Sequence, residues 1–334
     1  MSMIQRVKCF MRTKVRSLLR HGLSSALSLT SRTTSVTVLM YHEVLEDEQD
    51  VDAWTVVRAS EFSKQMEYMK SHYDVISLDA ACGVIRDGGH LNSKYAVVTF
   101  DDGYAGNHRV VLPVMVALDL PFTVFCATKP IEQREMYWWD KIICSAMACK
   151  RKLMLRDMLL GTYDFSTGVI GESRWNEMQR LLTDLKNVER ERRNHIVRAI
   201  ASQIYEAQQP CLLQPMTLDQ VRELADTGLA TIGAHSHTHD ILTQLTPVEA
   251  RQNILRSKEY LEAWTGRRID YFSYPNGDYS PALMRAVERV GFQAAVSTDV
   301  RVWRRTDDIY AIPRIGIGRF DSMSIFKAKV SRKN

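Results

Sequence analysis

The chain is predicted to be an α/β protein in which βα units surround a mostly parallel sheet or barrel, interrupted by one helical insertion. Three observations predict this. Short runs rich in β-branched and aromatic residues alternate with helical patterns. Several of those runs are almost continuously apolar, as strands covered on both faces must be. The alternation also stops between residues 130 and 215 and then resumes.

The expected strands are Ser35–Tyr41, Val75–Leu78, Tyr95–Phe100, Phe122–Cys126, Thr231–Ala234, Tyr271–Tyr274, Ala294–Ser297 and Tyr310–Ile315. The helices between them announce their starts. Thr246-Pro-Val-Glu249 combines a capping box with Pro at the first helical position, ahead of a segment reaching about Trp264. Thr217-Leu-Asp-Gln220 repeats that logic before a helix ending near Gly228, and Ser280-Pro281 opens another that stops at Gly291. Residues 130–215 are rich in Met, Leu, Arg and Glu and read as two or three helices with no convincing strand. Their Tyr137-Trp138-Trp139-Asp140 run is expected to pack the insertion onto the barrel, since large aromatics are usually buried; a platform for a sugar ring is its other use. The expected organisation is a basic N-terminal segment (1–35), a catalytic barrel in two pieces (36–129 and 216–322), the insertion (130–215) and a C-terminal helix or tail (323–334).

Length and a 45% hydrophobic fraction suit one large domain with an insertion. The net charge of +5 is modest, and much of it comes from the N-terminus, where no acidic residue precedes Glu43. Elsewhere the signs mix, which argues against a dedicated nucleic-acid binder. In the N-terminal segment Ile4, Val7, Met11, Val15 and Leu18 follow helical spacing with Arg and Lys between them. Such a helix can lie on an anionic membrane surface through residues 1–30, dock on its own domain, or serve as a targeting leader. No run approaches the roughly 18 apolar residues of a membrane span. Six cysteines show no metal-site spacing and no need for staples, so a reducing, cytoplasmic setting is expected, peripheral to the inner membrane where the basic N-terminal helix lies on it.

Chemistry concentrates at three strand ends. Val97-Val-Thr-Phe-Asp101-Asp102-Gly103-Tyr104 runs from a buried strand into two adjacent carboxylates, where βα folds place their active sites. One such carboxylate can bind a cation while the other accepts a proton; alternatively the pair caps a helix at an Asp-Gly turn. Thr231-Ile-Gly-Ala-His235-Ser-His237-Thr-His239 ends in three alternating histidines. Two imidazoles and one carboxylate leave open positions, the arrangement of a catalytic divalent-metal site. Phe272-Ser-Tyr274-Pro275-Asn276-Gly277 ends in a tight turn, which either only shapes the chain or fixes a backbone N–H for an oxyanion.

Thr99-Phe-Asp-Asp-Gly103, His235-Ser-x-x-His239 and Tyr274-Pro-x-Gly277, in that order, resemble the first three motifs of the polysaccharide deacetylase (NodB-homology, carbohydrate esterase) family. The resemblance covers roughly residues 36–129 and 216–320. It implies a distorted (β/α) barrel that removes acetyl groups from glycans with a divalent metal, usually Zn2+, with Co2+, Ni2+ or Mn2+ as alternatives. Carried over by position, it implies Asp101 as general base, Asp102, His235 and His239 as metal ligands, and the backbone N–H of Asn276 as oxyanion donor. His237 falls on a variable position and is not expected to be a ligand. Tyr104, Tyr274 and Pro275 are expected to touch substrate.

Two departures follow. Ser273 stands where the family often has a base-holding Arg, and Ile312-Pro-Arg314-Ile-Gly-Ile317 lacks the usual acid His. Leu39-Met-Tyr-His42-Glu43 looks like the early His motif of the biofilm poly-N-acetylglucosamine deacetylase branch, which nominates His42 as general acid; Arg314 is nominated as the base tether. The expected activity is N-deacetylation of an amino sugar in a surface polysaccharide or its lipid-linked precursor. Deformylation or cyclic-amide hydrolysis is the alternative within the chemistry, and a non-catalytic glycan-binding module the alternative outside it. The expected partners are therefore a glycan or lipid-linked sugar, an anionic membrane surface and no nucleic acid.

Overall fold

The computed structural model describes residues 34–49, 51, 53–87, 93–149, 152–154, 160–166, 172–204 and 212–331. The basic N-terminal segment, with its expected membrane contact, lies outside them. In chain order the barrel's first half runs β1 (Ser35–Tyr41), β2 (Glu43–Leu45), β3 (Val56–Arg58), α1 (Ala59–His72), β4 (Asp74–Val75), α2 (Leu78–Asp87), β5 (Tyr95–Phe100), α3 (Leu112–Leu118) and β6 (Phe122–Cys126). The insertion follows with α4 (Thr128–Gln133), α5 (Trp138–Ala148), β7 (Lys152–Met154), β8 (Thr162–Asp164), α6 (Glu172–Lys186) and α7 (Arg190–Ile204). The second half comprises α8 (Leu218–Asp226), β9 (Ala230–Ala234), α9 (Pro247–Thr265), β10 (Tyr271–Ser273), α10 (Pro281–Val290), β11 (Ala294–Val296), β12 (Trp303–Arg304), β13 (Ile315–Gly316) and α11 (Met323–Val330).

The main sheet runs β11-β10-β9-β6-β5-β1, all parallel, with helices packed around it. Segment 312–316 links its two edges. Ile312 pairs in parallel with Val296 of β11, and three residues later Ile315 pairs with Leu39 of β1. The expected strand Tyr310–Ile315 is therefore only β13 plus an irregular closing piece, and this irregularity distorts the barrel. Thr99 Oγ1 of β5 donates to Leu39 C=O of β1 at 2.7 Å, tying those two strands together near their C-terminal ends. Leu39, Val98, Phe100, Val124 and Phe272 are completely buried, which explains why these strands lack polar alternation.

The helix-start signals act as expected. Thr246 and Glu249, and Thr217 and Gln220, form reciprocal capping boxes, and Ser280 accepts Leu283 N–H. Two expectations need correction. Val75–Leu78 is a strand only to Val75, because Ser77 Oγ accepts Ala80 N–H and starts α2. The insertion has a hairpin, β7–β8, that composition hid, while α5, α6 and α7 are the three described helices wholly within 130–215, as expected, and α4 straddles its start. Buried Arg174 holds α5 onto α6 by donating to the Ala146, Met147 and Cys149 carbonyls at the C-terminal end of α5. The insertion's apolar core is shared with the barrel, which contributes Leu45, Val51, Ala53, Val56, Tyr104 and Ala127.

Among the described cysteines Cys82 and Cys126 are free thiols, but Cys144 is disulfide-bonded. Cysteine usage thus no longer argues for a reducing compartment. No helix among the described residues is long and apolar enough to cross a membrane.

Candidate active site

The parallel register aligns the C-terminal ends of β1, β5, β9 and β10, so His42, Asp101, Asp102, His235 and Asn276 all open into one cavity of about 720 Å³. That volume lies within the usual range for small-ligand sites. Its wall carries Trp54, Trp138, Trp139 and Trp175. Trp138 and Trp139 pack against the insertion's core, as expected, and also line the cavity, so neither of the two expected uses excludes the other.

Asp102 Oδ1 stands 3.3 Å from His235 Nε2 and 3.0 Å from His239 Nε2, and the two Nε2 atoms are 3.0 Å apart. Ligands held about 2.0–2.1 Å from a tetrahedral ion lie roughly 3.3 Å from one another. The triangle therefore fits a zinc-type ion. His235 Nδ1 meets Ser273 C=O at 2.8 Å, which leaves Nε2 free to point into the triangle. Among the described residues these three form the one such cluster of potential ligands.

Backbone strain shapes this cluster. Asp102 has φ 72° and Gly103 φ 71°, two consecutive left-handed residues. A Cβ on Gly103 would come within 3.1 Å of Cys126 Sγ and 3.3 Å of its Cα, so the motif needs glycine for space as well as for φ. Gly277 is more constrained: at φ 78°, its Cβ would overlap Thr298 Oγ1 at 2.0 Å. Ser236, His239 and Asn276 are also left-handed, at φ 63°, 58° and 59°. Each such residue costs roughly 1–3 kcal/mol and persists only where its surroundings enforce it.

Asp101 lies beside the triangle and not in it. Arg314 Nη1 donates to its Oδ1 at 2.7 Å and Nη2 to its Oδ2 at 2.6 Å, with both groups buried. Arg314 also donates to Thr99 Oγ1 and Ser297 C=O, and Ser273 Oγ joins between it and Asp101. Burial alone would raise the Asp101 pKa, but Arg314, joined by His235 and His42, outweighs it and holds the carboxyl below its ordinary range. Ser273 thus contributes a hydroxyl to the network whose cation arrives from segment 312–316.

His42 faces the same cavity beside Trp54, with ring centroids 5.9 Å apart. Burial lowers its pKa against the pull of Asp102 and Asp101, and its Nδ1 is buried with no hydrogen-bond partner among the described residues. His237 is turned away and meets Thr128 Oγ1 at 2.8 Å. The N–H of Asn276 has no partner among the described residues, while its side chain accepts from Lys186 Nζ at 2.7 Å. Substrate contact at Tyr104, Tyr274 and Pro275 is corrected. All three are buried and none lines the cavity, because Tyr104 donates to Asp140 and Tyr274 to Tyr310 C=O.

A model of the polysaccharide deacetylase family matches residues 88–295, more than half of the chain. The chain belongs to the polysaccharide deacetylase family. It is 20% identical over 308 residues to YxkH of Bacillus subtilis, a candidate polysaccharide deacetylase, covering 92% of this chain and 80% of that one. The fold is also that of solved deacetylases. The Streptococcus pyogenes deacetylase PplD, solved with acetate, superposes with TM-score 0.60 at 16% identity over 90% of this chain and all (100%) of that one. IcaB from Ammonifex degensii gives TM-score 0.58 at 17% identity over 89% and 97%.

The sequence reading missed the insertion's share of the site. Trp175, Lys186 and Arg193 line the cavity, and Tyr137 donates to Asp102 C=O at 2.5 Å. The available signal was the density of aromatics around Asp140, a completely buried acid whose carboxyl burial pushes well above its ordinary range.

Proposed function

We propose that this deacetylase is a metal-dependent hydrolase that removes an N-acetyl group from an amino sugar of a surface polysaccharide or its lipid-linked precursor. One observation carries the reading: Asp101, ionised and gripped by buried Arg314, lies beside a metal-ready triangle to which it does not belong. A carboxylate spent on a metal cannot also take a proton, and this site keeps one for each task.

Asp102, His235 and His239 would hold the ion, for which an N,N,O donor set suits zinc best. The ion would polarise the acyl carbonyl and acidify water. Asp101 accepts the proton of the attacking water, and Arg314 keeps that carboxylate ionised and oriented. The Asn276 N–H is a donor for the developing oxyanion. His42, beside Trp54 in the same cavity, delivers a proton to the departing amine.

The lipid-linked version gains support from the cavity's charge. Lys186 and Arg193 both line it, Lys186 with an amide oxygen as its near partner and Arg193 with an Asp240 carboxylate at 3.6 Å that Arg190 also shares. An exposed ammonium (Lys186) and a buried guanidinium (Arg193) beside a sugar-sized space favour a substrate carrying phosphate. Deformylation needs the same acyl-transfer machinery, so the acyl group is a matter for assay. A binding module would need neither the Asp101–Arg314 pair nor the triangle.

The test is amine release by zinc-reconstituted protein from an N-acetylglucosamine oligomer and from a polyprenyl-phosphate-linked N-acetylamino sugar, with Asp101→Asn as control. Release lost in the control establishes the chemistry, and the preferred substrate separates the two versions. Stoichiometric metal with release only from N-formyl analogues would replace deacetylation by deformylation. Failure to bind metal would leave the binding-module reading.

A further inference from the structure

Six non-glycine residues are left-handed among the described ones. Asp119 and Arg134 terminate helices, and the other four are Asp102, Ser236, His239 and Asn276. Ser236 is held locally, its hydroxyl accepting His239 N–H at 2.9 Å. The remaining three are each met by a side chain of the helical insertion.

Tyr137 Oη donates to the Asp102 carbonyl, which fixes the peptide plane between two left-handed residues. A return of Asp102 to ordinary φ would rotate that plane and break the bond. Trp139 stacks on Tyr137, with centroids 4.4 Å apart and planes at 15°, and lies 4.6 Å from the His239 ring. The indole is itself anchored: its Nε1 donates to Tyr104 Oη at 3.0 Å, and Tyr104 donates to Asp140 at 2.9 Å. Lys186, at the end of α6, donates to Asn276 Oδ1 at 2.7 Å, while Asn276 Nδ2 donates to Asp278 at 2.7 Å.

We infer that the insertion is a clamp on the site's strained backbone: Tyr137 and Trp139 position the metal ligands Asp102 and His239, and Lys186 positions the oxyanion turn at Asn276. These are positioning residues, acting through groups that touch metal or substrate. The inference rests on the metal-site reading above. Packing alone would account for apolar rings in the insertion's core. It does not account for a hydroxyl and an ammonium each directed at a left-handed residue of the site.

The deciding measurement is Co2+ binding by the full chain, followed by visible absorption and by competition with a chelator, in wild type and Tyr137→Phe. This substitution keeps the ring and removes only the bond to Asp102. The clamp predicts about 10–100-fold weaker metal binding, as for other groups that orient a ligand, with altered cobalt bands and unchanged far-UV circular dichroism. Trp139→Phe is expected to show a smaller loss than Trp139→Ala. Lys186→Met is expected to leave Co2+ affinity unchanged and lower kcat about 10-fold with little change in KM, the pattern of a lost transition-state interaction. Wild-type affinity and spectrum in folded Tyr137→Phe overturn the clamp at the metal, and unchanged kcat in Lys186→Met overturns it at the turn. A wild-type chain that takes up no Co2+ sinks the metal reading itself, and the clamp with it.

Discussion

The cavity has two walls of opposite character. The strand-end wall consists of buried charge: Asp101 against Arg314, and Asp102 against two histidines. The insertion wall consists mainly of rings, with Trp138, Trp139 and Trp175 facing the cavity and Lys186 and Arg193 as its cations. The difference is one of division of labour. Buried charge has to be paired and aimed, which only rigid strand ends in register achieve, and it does the proton and acyl chemistry. Aromatic surface tolerates variation in position and is suited to choosing and holding what enters. Substitutions on the first wall should therefore lower kcat and stability, and those of the second wall's rings should act mainly on KM or metal affinity, while Lys186 acts on kcat through the turn at Asn276 that it holds.

The largest effect is expected for Asp101→Asn, with kcat reduced about 10²–10⁴-fold while metal still binds. Retained turnover would remove the proton-accepting role from this wall. Arg314→Met leaves the Asp101 carboxylate buried and unpaired, so stability should fall by about 3–5 kcal/mol in denaturant titrations. The sign of its pH effect is fixed by the pairing. Arg314 holds the Asp101 pKa down and keeps the base ionised as pH falls, so the acidic limb of kcat/KM should move to higher pH without it.

His42→Ala should cost about 100-fold in kcat with Co2+ affinity kept. Because burial lowers the His42 pKa, the protonated acid is lost early as pH rises, and the alkaline limb of wild-type kcat should disappear in the variant. Across the cavity, Trp138→Ala should raise KM about 10-fold, the equivalent of one aromatic contact, with kcat nearly unchanged. A kcat loss as large as that of His42→Ala would erase the proposed contrast between the walls.

The smallest effect sharpens the first wall's rule that buried charge needs a partner. Glu43 is completely buried, accepts the Val44 N–H at 2.8 Å, and burial raises its pKa to about 8. A carboxyl raised in the folded state contributes stability below its unfolded pKa and loses it as pH rises toward the folded value. Glu43→Gln should therefore raise Tm by a few degrees, about 2–4 °C per kcal/mol, at pH 8 and leave it unchanged near pH 4. A Tm difference independent of pH would deny that ionisation of Glu43 is what costs stability.

Legibility followed the same division. The strands Ser35–Tyr41, Tyr95–Phe100 and Phe122–Cys126 are readable because each is a bounded apolar run, and the motif residues stand at such strand ends. Tyr104 and Tyr274 were read as substrate contacts because they adjoin the motifs, yet their side chains point into the protein. The β7–β8 hairpin escaped notice because three-residue strands within a Met- and Leu-rich stretch leave no period to detect.

By itself the sequence determined the layered βα architecture, the helix starts and the chemical types gathered at the strand ends. Local spacing controls these: apolar runs become covered strands, capping boxes satisfy the first N–H groups, and a strand end delivers its next residues to one rim. The tertiary structure decided which groups meet. Arg314 lies 213 residues from Asp101 and reaches it only because segment 312–316 closes the barrel beside β1. Tyr137 lies 35 residues from Asp102 and reaches its carbonyl only because the insertion shares an apolar core with the barrel. Neither spacing is periodic in helix or strand, so chain closure and packing, rather than any local pattern, bring those partners together.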